Sequence, residues 1–524
     1  MDIFSLKRET NDILSSVKKG PFSLAIIEKS AKKLADLGDG AVPFVLKYLE
    51  KEKDPAAIKK VAYLIELLND HAYAAMLHTL LVSSKYQSIS RKVKVELLAT
   101  LKSYDESSFQ EYFSHLFGGS DKTYLLWIKR VLEDFDSREY RTISLLEEFL
   151  GHGNKKISLI KEIRLLFKEK AVPFLAILAD SDNQEVSSEA LRELGTIRHE
   201  KAIKSLKSIL NSSWQKEVIL GAEKALRRLS FSGIDVNNVS PPLTPLPDLS
   251  QSRAFISPID GMGNINLCIA VKSKGKRMET LCLVINDEVG ILDVYGSKKM
   301  KEIDFQTMVE EISEETVFIE GEIDYAIALL NHALYQNNSR AIYLPPEFHY
   351  RKALLTGHLN PEAFLPQFQL SQLKKIKKNK ILLGRSAELL DSDDFSHWVI
   401  TIPRSFDYAE KMNALQQGSN KLFEMKEKRL IDDFCQEIIS PMKAVLRSRL
   451  FLMADFLMKT NRGEELTLLT LATALNMGER SKINITTIPF LRKLAQESIA
   501  HCIEAIEEGF DLRDFSEELD DLDE

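Results

Sequence analysis

The chain has 524 residues and a formal net charge of −7, with 44% apolar and 28% charged residues. This length exceeds one ordinary hydrophobic core, so it predicts three or four domain-sized units unless a repeat architecture lets one unit keep growing. The composition is that of a soluble globular protein and excludes collagen-like, low-complexity and disulfide-scaffold classes.

The N-terminal part of the chain repeats itself. The segment Ala171–Leu178 recurs less regularly as Ala202–Ile209, which is 31 residues further on. The apolar residues that follow recur too, as Val186, Ala190 and Leu194 and then Val218, Ala222 and Leu226. Residues 41–45 echo residues 171–175, and weaker copies with helical spacing fill the gap: Leu77, Leu80 and Leu81; Phe109, Tyr112, Phe113 and Leu116; Leu145, Leu146, Phe149 and Leu150.

Each copy predicts two short amphipathic helices joined by a polar turn. The first helix opens with Ala-Val-Pro, because proline is tolerated in a first helical turn, where its missing N–H would have no partner. Residues 180–184 supply short polar side chains that bond to free backbone groups in the turn. Ala190 and Ala222 leave room for a neighbouring helix. One such hairpin cannot bury its apolar face alone, so we expect the copies to stack into a solenoid.

Residues 171–229 resemble HEAT repeats, especially the short bacterial HEAT-like class, through the Asp180/Asp182 turn and the run Ala190-Leu191-Arg192-Glu193-Leu194-Gly195. The resemblance extends over roughly residues 20–229, and we assign residues 1–229 to a HEAT-like α-solenoid. It implies a curved solenoid that binds or scaffolds other molecules. Some HEAT-like proteins are bilin lyases or alkylated-base glycosylases, but the catalytic residues of neither class match this chain. The resemblance therefore implies a fold and no site.

A linker rich in Pro, Ser and Asn, residues 230–252, follows the repeats. It contains four prolines within seven residues, at positions 241, 242, 245 and 247. Such a stretch favours an extended, semi-rigid connector and marks a domain boundary.

Beyond the linker the hydrophobic period changes from 3.6 to 2, which predicts β-strands. A hairpin centred on Gly275 puts the apolar side chains on one face in a single register. Its pairs are Leu267 with Leu283, Ile269 with Leu281, and Ile265 with Ile285. The same register sets Cys268 opposite Cys282. A redox switch and two buried thiols both fit this pairing, and a reducing compartment favours the thiols.

Flanking strands are expected at residues 254–258 and 290–295. Helices should follow at residues 304–312, 323–335 and 347–355. We therefore predict an α+β module with an antiparallel meander over residues 253–400.

Four carboxylates, Asp260, Asp287, Glu288 and Asp293, fall at the ends of the predicted strands, beside a tight turn at residues 261–264. One interpretation is a divalent-metal or acid–base site. The other, which we favour, is that these residues serve the turns. The Gly-x-Gly of the turn lacks the third glycine of a dinucleotide fingerprint and the lysine of a P-loop, so phosphate binding is not indicated.

Residues 371–385 form the densest positive cluster of the chain and include no acidic residue. The candidate anion-binding residues are Lys374, Lys375, Lys377, Lys378, Lys380 and Arg385. They would contact nucleic-acid phosphates or an anionic membrane surface. The alternative, which we favour, is the solvated face of a helix that Leu373 and Ile376 anchor on its other side. No aromatic residues interleave with the lysines, as a base-stacking platform would require.

From Ser405 onward the pattern is helical again and predicts a helical bundle over residues 401–508. Helices are expected at residues 441–459, 466–475 and 488–506, with Thr487 as the N-cap of the last. Residues 509–524 form an acidic tail. Residues 504–524 carry eleven acidic residues and a single basic one, Arg513, so the other 503 residues have a net charge of +3. Such a tail solvates the protein or pairs with a basic surface, here residues 371–385.

The first residues are charged where a signal peptide needs an apolar core, and no apolar window reaches about 18 residues, so we expect a cytoplasmic protein without a membrane span. The four cysteines lack zinc-ligand spacing, and none of the ten histidines lies in a catalytic motif. We therefore predict no catalytic residue, no cofactor and no metal in a mainly α protein.

The leading hypothesis is a non-catalytic scaffold that binds a protein partner through the HEAT-like surface. The alternative is nucleic-acid binding through residues 371–385. A third hypothesis is a metal-dependent enzyme centred on the β module, around Asp260, Asp287 and Asp293. The sequence leaves the identity of the partner and the oligomeric state open.

Overall fold

The computed structural model describes residues 3–19, 24–52, 54–68, 97, 100, 121–133, 135, 139–151, 157–240, 249–272, 277–417, 422–478 and 483–515. Within these residues the fold is mainly α, as predicted, with twenty-one α-helices and one five-stranded antiparallel sheet. The chain divides into two compact units. The first comprises Met1–Lys207 and Leu220–Pro241, and the second comprises Ser208–Ile219 and Pro242–Glu524.

The N-terminal part of the described chain consists of short helices. Their bounds are α1 (Ile3–Lys19), α2 (Leu24–Ala35), α3 (Val42–Lys51), α4 (Pro55–Leu68), α5 (Asp121–Glu133), α6 (Glu139–Leu150), α7 (Ile157–Phe167), α8 (Val172–Ala179), α9 (Gln184–Leu194), α10 (Glu200–Ser212) and α11 (Lys216–Phe231). The predicted copy at Leu145, Leu146, Phe149 and Leu150 forms the buried side of α6. The copies at residues 77–81 and 109–116 lie outside the described residues.

The pair α8/α9 shows how the repeat sequence produces its hairpin. Pro173 lies in the first turn of α8, and the Asn183 side chain caps α9 by accepting a hydrogen bond from the Val186 amide at 3.3 Å. The Ser181 hydroxyl donates to the Leu178 carbonyl at 2.8 Å, and the Ser187 hydroxyl donates to the Ala179 carbonyl at 2.7 Å. These side chains are buried, and a buried polar group without a partner costs free energy, so the polar turn residues stabilise the bend.

Small residues bring α9 and α11 close together. Ala190 and Ala222 are fully buried. Gly195, at the end of α9, leaves so little room that a Cβ there would lie 3.0 Å from Ala225 Cα. Gly221 of α11 is packed in the same way, since a Cβ would lie 2.6 Å from Leu191 Cδ1. The successive pairs therefore bury their apolar faces against each other, which is the way a repeat architecture acquires a core.

The sheet of the second unit contains β1 (Arg253–Ile256), β2 (Asn264–Lys272), β3 (Arg277–Asn286), β4 (Gly290–Lys301) and β5 (Ile319–Gly321), in the order β4-β3-β2-β1-β5. The predicted register of the β2/β3 hairpin is confirmed at all three pairs: Ile265 with Ile285, Leu267 with Leu283, and Ile269 with Leu281. The hairpin loop itself, residues 273–276, lies outside the described residues. The sequence analysis missed β5, which pairs antiparallel with β1 and leaves β4 and β5 as the edges of the sheet.

Cys268 and Cys282 face each other across this hairpin, as the register predicted. The structure joins them in a disulfide. This corrects our preference for two buried thiols, because the paired positions bring the sulfur atoms into bonding contact. Both residues are buried beneath α12 (Glu302–Glu315), in a small cluster with Phe255 and Phe305.

The remaining helices of the second unit are α13 (Ile323–Arg340), α14 (Pro346–Arg351), α15 (Leu370–Lys378), α16 (Lys380–Gly384), α17 (Pro403–Gln417), α18 (Phe423–Phe434), α19 (Lys443–Lys459), α20 (Glu464–Asn476) and α21 (Pro489–Glu507). A π-helical turn, Cys435–Ile439, continues α18. The N-cap of α21 is Ile488 rather than the predicted Thr487, which belongs to a 3-10 turn that the Asn484 side chain caps. Residues 359–369 form neither helix nor strand.

One hydrophobic core runs from Ala254 in β1 to Ile499 in α21. Trp398 is one of the residues that make this core continuous. Its ring packs 5.6 Å from that of Phe490, and its indole N–H donates to the Ile259 carbonyl at 2.7 Å. Trp398 thus connects the sheet region to the last helix. We therefore describe the sheet and the C-terminal helices together, rather than dividing them at residue 400 as the sequence suggested.

The first part of the predicted acidic tail is folded. Arg513 pairs with Asp407 at 3.1 Å and with Glu410 at 2.8 Å, so residues 512–515 are held beside α17. Residues 516–524 lie outside the described residues.

Candidate functional site

The predicted basic segment forms α15 and α16. Lys374, Lys375, Lys377, Lys378 and Lys380 are all exposed. On the opposite side Ile376 is buried against Ala454 and Leu471, with Leu373 beside it. This is the anchored amphipathic helix that we favoured from sequence, and it leaves the lysine side chains in solvent. Whether they bind an anion stays a prediction.

Arg385, the last candidate of that segment, differs from the lysines because it is ion-paired. Its guanidinium lies 2.6 Å from Glu388 and 2.6 Å from Glu465. These two carboxylates raise the pKa of Arg385 above its ordinary value. Its charge is thus matched by two neighbours, and the exposed cationic surface consists of the lysines.

The carboxylate Asp287 takes part in a buried ion pair that the sequence analysis did not anticipate. Arg449 of α19 donates to Asp287 Oδ1 from Nε at 3.1 Å and from Nη2 at 3.0 Å. The same guanidinium donates to the Gly261 carbonyl at 2.7 Å. Burial raises the pKa of Asp287 above its ordinary value, although Arg449 opposes that shift. The arginine therefore ties α19 to two loops of the sheet.

This ion pair explains one glycine of the 261–264 turn, Gly263. Gly263 has a φ of +93°, and a Cβ there would overlap Asp287 Oδ1 and lie 2.6 Å from Arg449 Nη2. A residue with a side chain would thus displace the guanidinium from its carboxylate. Gly261 has a different reason, since a Cβ there would lie 2.5 Å from the Val399 carbonyl oxygen. Both glycines thus serve close packing.

The other carboxylates of the predicted cluster also have structural partners. Asp260 accepts a hydrogen bond from the Asn264 amide at 2.7 Å, and Asp293 accepts one from the Val294 amide at 2.8 Å. Glu288 lies between two arginines, 3.2 Å from Arg449 and 3.6 Å from Arg340. Across the described ranges, no three His, Cys, Asp or Glu side chains are placed to hold a metal ion.

A groove of about 890 Å³ begins at Glu288 and Arg340 and runs between α13, α19 and the irregular segment 359–369. Its walls are largely apolar, with Phe364, Phe368 and Phe451 among them. The polar groups His332, Tyr335 and Ser448 also line it. A concave apolar groove with few polar groups is the usual form of a binding site.

Two residues of α13 fasten segment 359–369 along this groove. Asn331 accepts a hydrogen bond from the Asn360 amide at 2.8 Å, and His332 Nδ1 accepts one from the Phe364 amide at 3.1 Å. Burial lowers the pKa of His332, which favours the neutral ring that can accept this bond. The segment therefore lies in a defined path although it has no helix or strand.

A second pocket, of about 690 Å³, lies on the other side of the same segment. We call it the lysine pocket, because Lys375 of α15 lines it together with Phe368, Leu373, Ile376, Leu457, Met458, Leu468 and Leu471. Phe368 and Leu373 line both the groove and the lysine pocket. The sequence pointed to the lysines and to Leu373 and Ile376 beside them, but not to the apolar residues that α19 and α20 add to the pocket.

In the first unit, the second helices of three successive pairs present a mixed surface to solvent. The exposed residues include Glu162 and Leu165 of α7, Glu185 and Arg192 of α9, and Leu220, Lys224, Arg227 and Arg228 of α11. Ion pairs join Arg192 to Glu189, and Arg227 to Glu223 at 3.4 Å. An ion pair between half-buried Arg164 and buried Glu193, at 2.6 Å, joins α7 to α9. We call the exposed residues of α7, α9 and α11 the repeat face.

The profile of the HEAT repeat family matches residues 143–227, from within α6 to α11, a range that includes the helices of the repeat face. Residues 143–227 are HEAT repeats. The predicted resemblance is thus confirmed for this part of the chain.

Among solved structures, human deoxyhypusine hydroxylase in complex with glycerol is similar at 15% identity, over 44% of this chain and 98% of that chain. The TM-score is 0.20, too low to indicate a shared arrangement of the two chains. No curated protein matches the chain.

In the described residues, the HEAT repeats present charges of both signs together with exposed leucines. Among the described helices, none is long and apolar enough to cross a membrane. HEAT repeats generally act in protein interactions through such extended surfaces.

Proposed function

We propose that this protein is a non-catalytic scaffold that binds a protein partner through the repeat face of its HEAT repeats. The observation that carries this proposal is the composition of that face. Leu165 is 51% exposed and Leu220 is 55% exposed, and both lie among acidic and basic side chains. Leu166, next to Leu165, is 57% exposed as well. Apolar side chains that are exposed together within a polar surround favour protein recognition.

The test is a binding measurement with a double variant, Leu165→Glu/Leu220→Glu. A partner is first captured from a native extract with the intact protein, then purified and measured against both proteins by calorimetry. We expect the double variant to bind at least about tenfold more weakly, because each substitution places a charge where an apolar contact is lost.

Leu422→Glu is the matched control, since Leu422 is 54% exposed and lies in the second unit. It should bind the partner with unchanged affinity. Failure to capture a stoichiometric partner, or equal affinity of the double variant and the intact protein, would contradict the proposal.

Nucleic-acid binding is the second candidate, and the exposure of all five lysines of α15 and α16 supports it. A labelled duplex or single strand should then bind with an affinity that falls steeply with salt. The variant Lys374→Glu/Lys375→Glu should weaken this binding, while Lys426→Glu/Lys428→Glu, an equal charge change on α18, should not. Absence of binding at low salt would remove this candidate.

A further inference from the structure

We propose that the groove between α13 and α19 binds a small molecule that has an apolar body and one anionic head. In this arrangement Arg340 binds the head, and the phenylalanines of the groove contact the body. The site lies within the second unit and does not depend on partner binding through the repeat face.

The apolar wall of the groove suits an apolar body. Phe364, Phe368 and Phe451 line it, and the rings of Phe368 and Phe451 lie 5.9 Å apart. Leu365 and Leu370 also line the groove and are 77% and 76% exposed. Apolar side chains that face water in a concave site gain free energy when a ligand covers them. The volume of about 890 Å³ lies within the range of small-molecule sites.

A row of polar side chains on α13 borders this wall. His332, Gln336 and Arg340 follow one another at intervals of four residues, so they share one side of the helix, and all three line the groove. His332 Nδ1 accepts the Phe364 amide, so the neutral ring carries its proton on Nε2, which lies 3.4 Å from Gln336 Nε2. His332 and Gln336 are thus engaged with segment 359–369 and with each other, which leaves Arg340 for a ligand.

Arg340 has unused hydrogen-bond donors at the polar end of the groove. Its side chain is 49% exposed, and its Nη2 lies 3.6 Å from Glu288 Oε1, which is longer than a hydrogen bond. With the other described residues Arg340 makes no hydrogen bond or ion pair. A guanidinium offers five N–H donors in a planar fork that matches two oxygens of one anion. An anionic head would therefore satisfy donors that now face water.

The two carboxylates at the same end indicate the sign of the head. Asp287 and Glu288 each accept a hydrogen bond from Arg449 Nη2, at 3.0 Å and 3.2 Å. A cationic head would have to compete with this buried guanidinium for its carboxylates. An anionic head meets Arg340 instead, and Glu288 keeps Arg449 as its counter-charge. The groove therefore favours an acid over an amine.

The test uses two fluorescent probes that share one apolar body. Anilinonaphthalene sulfonate carries an anionic head, and phenylnaphthylamine lacks it. Titration of the full chain should show a single site that binds the sulfonate more tightly than the neutral probe. Arg340→Gln should weaken binding of the sulfonate by at least about tenfold, because hydrogen bonds to a charged group are lost. It should leave the affinity for the neutral probe unchanged.

Three further variants locate the site, with circular dichroism confirming an unchanged fold in each. Arg404→Gln makes the same charge change at an exposed position and should bind both probes as the intact protein does. Ser448→Trp fills the groove from the exposed side of α19 and should weaken both probes by at least about tenfold. Gln372→Trp fills the lysine pocket instead and should change neither affinity.

Displacement of the bound sulfonate tests the sign of the head with unrelated molecules. Decanoate and decylamine have the same chain length and opposite charges. Decanoate should displace the sulfonate from the intact protein, whereas decylamine at the same concentration should not. Equal displacement by both would show that the groove accepts apolar chains whatever their charge, and would overturn the anionic head.

The proposal is also overturned if neither probe binds, or if Arg340→Gln binds the sulfonate as tightly as the intact protein does. Binding that survives Ser448→Trp but is lost in Gln372→Trp would place the probe in the lysine pocket, which contradicts the assignment to the groove. None of these outcomes bears on the repeat face, so the proposed scaffold function is tested separately.

Discussion

Arg449 and Asp455 both lie on α19, and both are buried, with 2% and 3% exposure. Arg449 is fully engaged by Asp287, Glu288 and the Gly261 carbonyl. Asp455 receives a hydrogen bond from the Tyr325 hydroxyl, but its Oδ2 has no partner in the described structure. The two residues therefore affect stability in opposite directions.

Substitution Arg449→Met should lower the free energy of unfolding by about 3–5 kcal/mol, because it leaves the Asp287 carboxylate buried without a counter-charge. Denaturant titration with circular dichroism measures this loss. Arg404→Met is the control, since the Arg404–Glu437 pair at 2.9 Å is exposed on both sides. It should change the free energy of unfolding by less than about 1 kcal/mol. Similar losses in both variants would argue against a stabilising role of the buried pair.

Asp455→Asn should stabilise the protein at neutral pH. Burial raises the pKa of Asp455, so the folded state holds the proton more tightly than the unfolded chain does. The stabilisation from this proton is complete below the pKa that Asp455 has in the unfolded chain. It is lost as the pH rises through the higher pKa that Asp455 has in the folded protein. Above that pH the variant should be more stable by about 1 kcal/mol, the cost of a buried unpaired group.

Thermal unfolding between pH 3.5 and 8 tests this, with about 3.9 as the ordinary pKa of an aspartate. The stability difference between Asp455→Asn and the intact protein should disappear at the acid end of the range. Asp393→Asn, at an exposed position, controls for the loss of one negative charge. A difference that stays constant across the range would contradict a role for the Asp455 charge.

The sequence signalled these two residues only weakly. Leu446, Leu450, Met453 and Leu457 predicted an apolar side of α19, and they are buried. Arg449 and Asp455 lie between these apolar residues in the sequence. A charged residue within an apolar stretch was the one sign that they are buried and paired. Their partners come from positions more than 100 residues away, and a local pattern does not contain that pairing.

At the scale of elements, local patterns predicted most of what local forces determine. The β2/β3 register followed from apolar alternation, because a one-residue slip would expose the entire apolar set. Strand β5 was missed since three residues, Ile319–Gly321, are too short to show alternation. Likewise, the groove and the lysine pocket depend on segment 359–369, whose path follows from hydrogen bonds to α13 rather than from its own sequence.

The packing of α9 on α11 gives a prediction for the HEAT repeats. Gly195→Ala should lower the free energy of unfolding by about 1–3 kcal/mol, because the new Cβ meets the Ala225 backbone and the helices must separate. The additional change Ala225→Gly should recover part of this loss, although it removes a methyl group from the core. A double-mutant cycle measured by denaturant unfolding quantifies the coupling.

Gly384→Ala is the control for the loss of glycine flexibility, since a Cβ at Gly384 meets nothing within 4 Å. Its effect should stay within about 0.5 kcal/mol. Additive effects of Gly195→Ala and Ala225→Gly would show that the two positions are not in steric contact.

At the scale of the whole molecule, the division into units does not follow a single cut in the sequence. Residues 208–219 belong to the second unit although they lie before the proline-rich boundary. Trp214, within this segment, packs against the core of the second unit, and the Lys352 ammonium lies 5.0 Å from its ring. The predicted boundary at residues 230–252 therefore marks where the helical repeat pattern of the sequence ends. By packing, however, residues 208–219 already belong to the second unit.

Trp214 should stabilise the second unit through this packing. In a Trp127→Phe background, Trp214→Ala and Trp214→Phe both leave Trp398 as the sole tryptophan, and Trp398 is a buried reporter of the second unit. Trp214→Ala should unfold with a free energy about 2 kcal/mol lower than that of Trp214→Phe, which keeps an aromatic ring. Fluorescence-monitored denaturation measures both. Coincident transitions would show that residues 208–219 contribute no packing energy.

The order of the sheet also bears on how the protein behaves when it is crowded with other copies. An edge strand offers unpaired backbone groups on which another chain can assemble, and proteins resist this with short strands or with lysines. One edge, β5, has only three residues, and the other, β4, ends in Ser297-Lys298-Lys299-Met300-Lys301. Both edge strands of the sheet therefore disfavour pairing with another chain. At β5 the short strand length limits pairing, and at β4 the positive charge of the lysines repels a second copy.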